Sequence, residues 1–265
     1  MSRIGNRFAE LRARGEGALV CFINSGDPDL ATTESLVFAL EDAGADIIEL
    51  GVPFSDPLMD GPTIQASSQR ALQRGASPPL ILEVVASVRK RSLIPIVLMT
   101  CANPVYHYGT ARFAQDAAKA GVDGAIVTDM PPEEANEWKS EAESAGLDTI
   151  FLLAPTSTDS RIERVAGMSS GFVYCVSRAG VTGAQEDAPE EIAQLLTKIR
   201  LVTDTPTAVG FGISKPEHVR RVCSMADGAV VGSAIVSLIN KKAGAPDLLG
   251  SVKTFVSELK AATRG

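Results

Sequence analysis

Two carboxylic acids lie close together in the sequence, in surroundings that could make them catalytic. Glu49 interrupts a short apolar run at the point where a buried strand is expected to end. Asp60 lies in the following proline-rich loop, directly before Gly61 and Pro62, a pair typical of the start of a helix. Because a buried carboxyl group costs desolvation energy unless it is paired or used, the two acids suggest general acid–base catalysis.

Each acid also has a purely structural interpretation. Glu49 could form a salt bridge at the end of its strand, and Asp60 could cap the helix that follows. The spacing of the two residues does not decide between catalysis and structure.

The basic and metal-binding residues restrict the chemistry further. No lysine or histidine lies in any predicted strand, which argues against a Schiff-base lysine or a histidine-ligated metal. Two histidines and four cysteines without a C-x-x-C pair predict no metal site. Carboxylate acid–base catalysis remains, with Tyr174 as a possible contributing hydroxyl group. Such a site could cleave a carbon–carbon bond only where the substrate itself accepts the electrons.

Short apolar runs alternate with helical patterns along the whole chain. This alternation over 265 residues predicts an α/β protein. We expect a (β/α)8 TIM barrel with an extra N-terminal helix at residues 2–14, formed as a single domain over residues 1–265. A doubly wound open sheet is the alternative. The eight predicted strands are residues 18–24, 46–50, 95–100, 124–129, 148–153, 171–177, 207–211 and 228–232.

The overall composition argues against several classes of partner. The net charge is −7, with no basic cluster beyond residues 89–91, which argues against nucleic acid or an anionic membrane. No apolar run approaches the ~20 residues of a transmembrane helix, and the N-terminus lacks the apolar core of a signal peptide. We therefore expect a cytoplasmic protein.

The acids are distributed unevenly between the two ends of the predicted strands. Only Glu49 and Asp129 stand at carboxyl ends, which form the catalytic face of a barrel. This favours a functional role for Glu49, whereas Asp129 could simply fix the turn before Pro131 and Pro132. Four other aspartates lie where a helix leads into a strand, at the stabilising face; they are Asp46, Asp123, Asp148 and Asp227.

The last two predicted strands both end in glycine-rich turns, at residues 210–214 and 232–234. Glycines let the backbone approach a ligand closely, and the start of a helix presents free amides. In barrels the loops after these two strands commonly bind phosphate. We expect a small phosphorylated substrate that is held by backbone amides.

The connections after the second and sixth predicted strands are the longest. Long loops at the catalytic end of a barrel commonly act as lids or binding loops. The later one, residues 178–185, is rich in glycine, and we expect it to be mobile.

Several motifs together resemble those of the tryptophan synthase α subunit family. The stretch ELGVPFSDPLMDGPTIQ, from Glu49 to Gln65, closely resembles the family signature, and the resemblance runs from about residue 4 to the C-terminus. The later motifs follow in the same order: SRAGVTG at 177–183, GFGIS at 210–214 and GSAIV at 232–236.

The resemblance implies cleavage of indole-3-glycerol phosphate to indole and glyceraldehyde 3-phosphate, a retro-aldol reaction without a cofactor. Glu49 matches the general acid/base that moves protons between the glycerol hydroxyl group and indole C3. Asp60 matches the carboxylate that accepts the indole N–H and stabilises positive charge. The indole ring would then accept the electrons.

The resemblance also implies roles for the surrounding residues. By this correspondence, the indole pocket is lined by Phe22, Ile64 and Tyr174, and the phosphate is held by Gly183, Gly212, Gly232 and Ser233. A closing loop contains Arg178 and Thr182, and the positions that face a partner are Asp56 and Pro131.

Two residues depart from the family pattern, near the predicted indole pocket. Asn24 stands where threonine is usual, and Cys101 stands where an aromatic residue is usual. Both lie at strand ends, so the shape of the pocket follows less directly from the resemblance than the type of reaction does.

The family α subunit works with a β subunit that depends on pyridoxal phosphate, which implies an α2β2 tetramer with indole passed through a tunnel. A free-standing lyase that releases indole and a non-catalytic scaffold that binds phosphate and activates a partner are the alternatives. The presence of both Glu49 and Asp60 argues against the scaffold. The sequence of this chain alone does not separate the first two possibilities.

Overall fold

A computed structural model describes residues 2–176, 188–210 and 212–264, except the side chains of residues 188 and 189. Within these ranges nine strands form one sheet in which all pairings are parallel. The strands are β1 (Ala18–Asn24), β2 (Ile47–Gly51), β3 (Ile96–Thr100), β4 (Gly124–Val127), β5 (Asp148–Ile150), β6 (Leu152–Leu153), β7 (Val173–Val176), β8 (Thr207–Gly210) and β9 (Gly228–Val231).

The sheet runs round into a nearly closed barrel. Its order is β5-β4-β3-β2-β1-β9-β8-β7-β6. The two edge strands, β5 and β6, are separated only by Phe151, so they are two halves of the fifth predicted strand. The predicted (β/α)8 barrel with an extra N-terminal helix is therefore confirmed, and the open doubly wound sheet is wrong.

The described helices surround this barrel. They are α1 (Arg3–Ala13), α2 (Leu30–Asp42), α3 (Pro62–Gln73), α4 (Pro78–Val88), α5 (Ala102–Tyr108), α6 (Thr110–Ala120), α7 (Asn136–Ala145), α8 (Asp159–Met168), α9 (Ala188–Arg200), α10 (Pro216–Cys223), α11 (Ser233–Lys242) and α12 (Leu248–Ala261). Within the described part of the chain, no helix combines the length and the apolar character needed to cross a bilayer.

The connection after β2 differs from its prediction. Only residues 52–61 form a loop there, and the two helices α3 and α4 follow it. The buried side of α3 consists of Ser67, Ser68 and Ala71. Because these residues are small or polar, the helix has little hydrophobic periodicity by which to predict it.

Helix α1 closes the amino end of the barrel. Its buried residues Ile4, Phe8 and Leu11 join the cluster of side chains that fills the barrel interior. The rings of Phe8 and Phe172 lie 5.9 Å apart between their centroids. Among the described residues, this packing fills the amino end of the barrel, and the cavity described below opens at the carboxyl end.

Three of the four aspartates that precede strands tie neighbouring strands together at the amino end. A carboxylate oxygen of Asp46 accepts the amide of Leu19 at 2.7 Å. Asp123 and Asp227 accept the amides that open β3 and β8, at 2.8 and 2.9 Å. These residues stabilise the barrel, as predicted. Asp148 differs, because one of its carboxylate oxygens is buried without a hydrogen-bond partner among the described residues.

Candidate active site

A cavity of about 360 Å³ opens at the carboxyl end of the barrel. Its size is typical of a site for a small molecule. Strands β1, β2, β3, β7, β8 and β9 contribute to it, together with the first residues of α3 and α11. The predicted site residues that it brings together are Phe22, Glu49, Asp60, Ile64, Tyr174, Gly212, Gly232 and Ser233.

Glu49 lines this cavity with a fully buried side chain. It points inward because it is in register with Phe22 on β1, another cavity residue. Neither of its carboxyl oxygens has a hydrogen-bond partner among the described residues. Burial raises the pKa of Glu49 from 4.5 to about 8. Glu49 therefore keeps its proton near neutral pH and is able to donate it.

Asp60 borders the same cavity from the loop after β2. The cap of α3 is Gly61, and no side-chain hydrogen bond supports it, so Asp60 is not a helix cap. Gln65 Nε2 donates to the backbone carbonyls of Asp60 at 2.9 Å and of Pro57 at 3.4 Å, which ties the loop to the helix. Burial raises the pKa of Asp60 to about 6. Asp60 is therefore mostly ionised at neutral pH.

Tyr174 lies on β7 and turns its hydroxyl group towards β8. A Cβ atom on Gly210 would collide with that oxygen, so the strand needs a glycine at this position. Burial raises the pKa of Tyr174 well above 10, and the charges of Glu49 and Asp60 raise it further. The hydroxyl group therefore stays neutral and can donate or accept a hydrogen bond.

The start of α11 presents free backbone amides at the cavity. Gly232 is the N-cap of this helix and Ser233 its first residue, so the amides of the first turn lack intrahelical partners. Gly212 adds an exposed backbone with a φ of +41° and open space around it. No lysine or arginine is among the described residues that line the cavity. Among the described lining residues, backbone amides are therefore the groups that suit an anion.

The sequence matches one known family along almost its whole length. The family model described as tryptophan synthase alpha chain matches residues 8–264. The chain is 56% identical over 260 residues to the tryptophan synthase alpha chain of Citrifermentans bemidjiense, covering 98% of this chain and 97% of that one. This chain belongs to the tryptophan synthase alpha chain family.

Further members and solved structures agree with this assignment. Identity to the tryptophan synthase alpha chain of Geobacter sulfurreducens is 53% over 262 residues, which cover 99% of both chains. The tryptophan synthase subunit alpha of Legionella pneumophila has a TM-score of 0.92 at 35% identity, covering 99% of this chain and 98% of that one. A structure of tryptophan synthase from M. tuberculosis in its aminoacrylate-bound form has a TM-score of 0.90 at 35% identity and full coverage of both chains.

Several predicted site residues of this family member lie outside the cavity or outside the description. Asp56 is exposed and Pro131 is partly exposed. Thr182, Gly183 and Arg178 lie outside the described residues, as does the predicted mobile loop at 178–185.

Asp129, the second acid at a strand end, has a structural task. Its Oδ1 accepts the backbone amide of Ala102, the first residue of α5, at 2.6 Å. The carboxylate thus satisfies a free amide at a helix N-terminus. Asp129 is exposed and does not line the cavity, so Glu49 is the strand-end acid that faces it.

Met99 lines the cavity but was not predicted as a site residue. It lies in an apolar strand, where a methionine is typical of a core position. Its register partner, Gly51, lies two residues beyond Glu49 on the neighbouring strand. Because side chains alternate across a strand, Met99 faces inward one layer above Val97. The register of the barrel was the signal that could have identified it.

Helix α3, which follows the loop that carries Asp60, is fixed to the end of β1. Asn24 and Ser68 are joined by a hydrogen bond of 2.8 Å. Asp27, which is almost fully buried, forms a bidentate ion pair with Arg70. These contacts hold α3 against the barrel, and Asp60 is positioned by the loop that leads into it.

Proposed function

We propose that Glu49 and Asp60 together catalyse the reaction of the tryptophan synthase alpha chain, the cleavage of indole-3-glycerol phosphate to indole and glyceraldehyde 3-phosphate. One observation carries this proposal. Within the described part of the chain, Glu49 is buried without a hydrogen-bond partner, and it faces the same cavity as Asp60. A fold retains such an acid at a cost in stability, which a catalytic role explains.

The proton transfers follow from the two pKa values. Glu49, which holds its proton near neutrality, donates it to C3 of the indole ring. Positive charge then develops on the ring nitrogen, and the ionised Asp60 accepts the N–H and stabilises that charge. The Glu49 carboxylate next removes the proton of the hydroxyl group next to C3, so Glu49 ends in its starting state.

The bond cleavage is balanced within the substrate. As the hydroxyl group loses its proton, its oxygen forms the carbonyl group of glyceraldehyde 3-phosphate. The electron pair of the broken carbon–carbon bond returns to the indole ring, which becomes aromatic again. The proposed reaction therefore needs neither a cofactor nor a Schiff-base lysine.

The cavity has complementary groups for both ends of the substrate. The amides at Gly232 and Ser233, together with the turn at Gly212, suit the phosphate group. Phe22 and Ile64 supply apolar surface for the indole ring. We propose that Thr182 and Gly183 complete this site from the loop after β7.

We further propose that a β subunit binds over the loop that carries Asp60. Leu58 and Met59 in this loop are 88% and 61% exposed, and exposed apolar residues of this size are typical of interaction sites. Asp56 and Pro131 border the same end of the barrel. In this proposal the β subunit is dependent on pyridoxal phosphate, forms an α2β2 tetramer with this chain and receives indole from it.

We also propose a single cytoplasmic domain over residues 1–265. The barrel interior and the layer between the strands and the helices each form a continuous cluster of buried side chains. All four cysteines are free thiols, which is typical of a reducing compartment.

The proposed reaction is tested by indole release from indole-3-glycerol phosphate, with and without an added β subunit. The wild-type chain should release indole, and Glu49→Gln should not do so at a comparable rate. Asp129→Asn is the matched control, because it changes a strand-end acid outside the cavity and can still accept the amide of Ala102. Equal loss in both variants would contradict the assignment of Glu49.

A further inference from the structure

A narrow side pocket adjoins the main cavity next to Asp60. Asp60, Ile64 and Met99 border both spaces. The free space in the side pocket is about 10 Å³, which is close to the room needed by one water molecule. Its lining includes Cys101 and Thr128, which do not border the main cavity.

The side pocket lies in the direction in which the benzene ring of the substrate must point. The glycines that suit the phosphate, Gly212 and Gly232, line the main cavity and not the side pocket. Asp60, the proposed partner of the indole N–H, lies at the boundary between the two spaces. In indole-3-glycerol phosphate the glycerol phosphate leaves from C3, and the benzene ring extends away from it. With the phosphate at the glycines, that ring is directed past Asp60.

We propose that Cys101 and Thr128 determine which substituents this enzyme accepts on the benzene ring of its substrate, and that the pocket admits one group about the size of a methyl. This inference rests on the proposed function and specifies its substrate class. The natural substrate leaves the side pocket unfilled, and singly substituted indole-3-glycerol phosphates fill it.

Cys101 and Thr128 border the side pocket but not the main cavity, so they set its depth. Cys101 Sγ lies 3.8 Å from Thr128 Oγ1, and Cys101 is only 6% exposed. Burial raises the pKa of Cys101 to about 11, so its thiol is neutral and behaves as a small apolar group. Two further residues of the side pocket, Asn24 and Ser68, are joined by their hydrogen bond.

The experiment measures kcat/KM for each substituted substrate and divides it by the kcat/KM of the parent compound in the same variant. The probes are indole-3-glycerol phosphate and four analogues, each with one methyl group on a different benzene carbon. The wild-type chain should cleave at least one analogue with a kcat/KM within about tenfold of the parent compound. In Cys101→Phe the ratio for that analogue should fall by at least about tenfold, the usual scale for a methyl group in a pocket that does not fit it.

Two further variants distinguish an effect of pocket size from an effect of the thiol group or of misfolding. Cys101→Ser keeps the size of the side chain and should keep the ratio. Thr128→Leu narrows the pocket at the neighbouring wall residue and should lower the ratio, which provides a second test if Cys101→Phe does not fold. Rejection of all four analogues by the wild-type chain, or unchanged ratios in the folded narrowing variants, would overturn the inference. A wild-type chain that leaves the parent compound intact would contradict the proposed function itself.

Discussion

Phe22 and Glu49 are paired in register on the adjacent parallel strands β1 and β2, and both side chains face the cavity. A phenyl ring beside a carboxyl group offers no hydrogen bond and excludes water. The register of two strands thus explains why the pKa of Glu49 is raised to about 8 by burial. The same ring packs against Gly232, since a Cβ atom there would lie 3.5 Å from it. Phe22 therefore connects the proposed acid with the proposed phosphate site.

Glu49→Gln should abolish most of the activity while the fold is retained. The glutamine has the same shape but cannot deliver a proton to indole C3, so turnover should fall by at least ~10²-fold, the usual scale of general acid–base catalysis. Steady-state indole release and circular dichroism would measure the two effects. Near-normal turnover in a folded Glu49→Gln protein would remove Glu49 from the mechanism.

The pH profile of kcat/KM should be bell-shaped. Asp60 has to be ionised, so activity should fall as the pH drops below about 6. Glu49 has to hold its proton, so activity should also fall as the pH rises above about 8. Asp60→Asn should flatten the acidic limb of whatever activity remains, and it should leave the alkaline limb in place. A profile without an alkaline limb between pH 7 and 10 would contradict the raised pKa of Glu49.

The stability of the protein should also depend on the protonation of Glu49. In the unfolded chain this group ionises near pH 4.5, whereas in the folded chain it does so near pH 8. Its stabilising contribution is therefore complete below pH 4.5 and is lost as the pH rises to 8. The total loss is on the order of 5 kcal/mol. Glu49→Gln should thus gain stability over the wild type between pH 5 and pH 8.

Urea unfolding at pH 5 and pH 8 would measure this difference. The midpoint of the wild type should fall relative to that of Glu49→Gln as the pH is raised. Glu83→Gln, a change at an exposed acid of α4, provides a control for charge removal. Identical pH dependence in the wild type and Glu49→Gln would show that Glu49 is not protonated in the folded state.

The direction of Glu49 was predictable from the sequence because it depends on local pattern. An acid in a short apolar run near its end lies in a strand of the barrel wall, and only the inner face has open space. The barrel itself was predictable for the same reason, since each strand and helix has its own period. The aspartates at the amino end, such as Asp46, followed from their place before the strands.

The surroundings of Asp60 were less predictable because they depend on contacts between distant segments. Helix α3 packs through small polar residues such as Ser68, which forms a hydrogen bond with Asn24 at the end of strand β1. Met99 was not predicted as a site residue because its register with Gly51 becomes visible only when the barrel closes. Cys101 was recognised as unusual, but its contact with Thr128 required the structure.

A bulky residue at Gly212 should weaken the binding of glycerol phosphates. The backbone there has a positive φ, and a side chain would project into open space at the proposed phosphate site. Gly212→Val should raise the Kd for glycerol 3-phosphate by at least about tenfold, with a smaller effect on free indole. Calorimetric titration with the two ligands would measure both values.

The matched control for this variant is Gly146→Val. Gly146 has a φ of +79° and likewise no atom near its Cβ position, but it ends α7 at the amino side of the barrel. The two substitutions therefore introduce similar backbone strain. If both weakened glycerol 3-phosphate binding equally, or if Gly212→Val weakened indole to the same extent, the phosphate site would not lie at Gly212.

The last prediction concerns the coupling between the β subunit and Asp60. Leu58 is the most exposed large apolar residue of the described chain and lies two residues before Asp60, in the loop that Gln65 holds. A partner that covers Leu58 should fix this loop and with it the carboxylate, so an added β subunit should accelerate indole release. By linkage, substrate should tighten β-subunit binding by the same factor.

Leu58→Glu should reduce the acceleration at least about tenfold, because a charge would be buried at the interface. Leu93→Glu, at a residue 74% exposed at the amino end, should leave the acceleration intact. A chain that is equally fast with and without a β subunit would instead be a free-standing lyase.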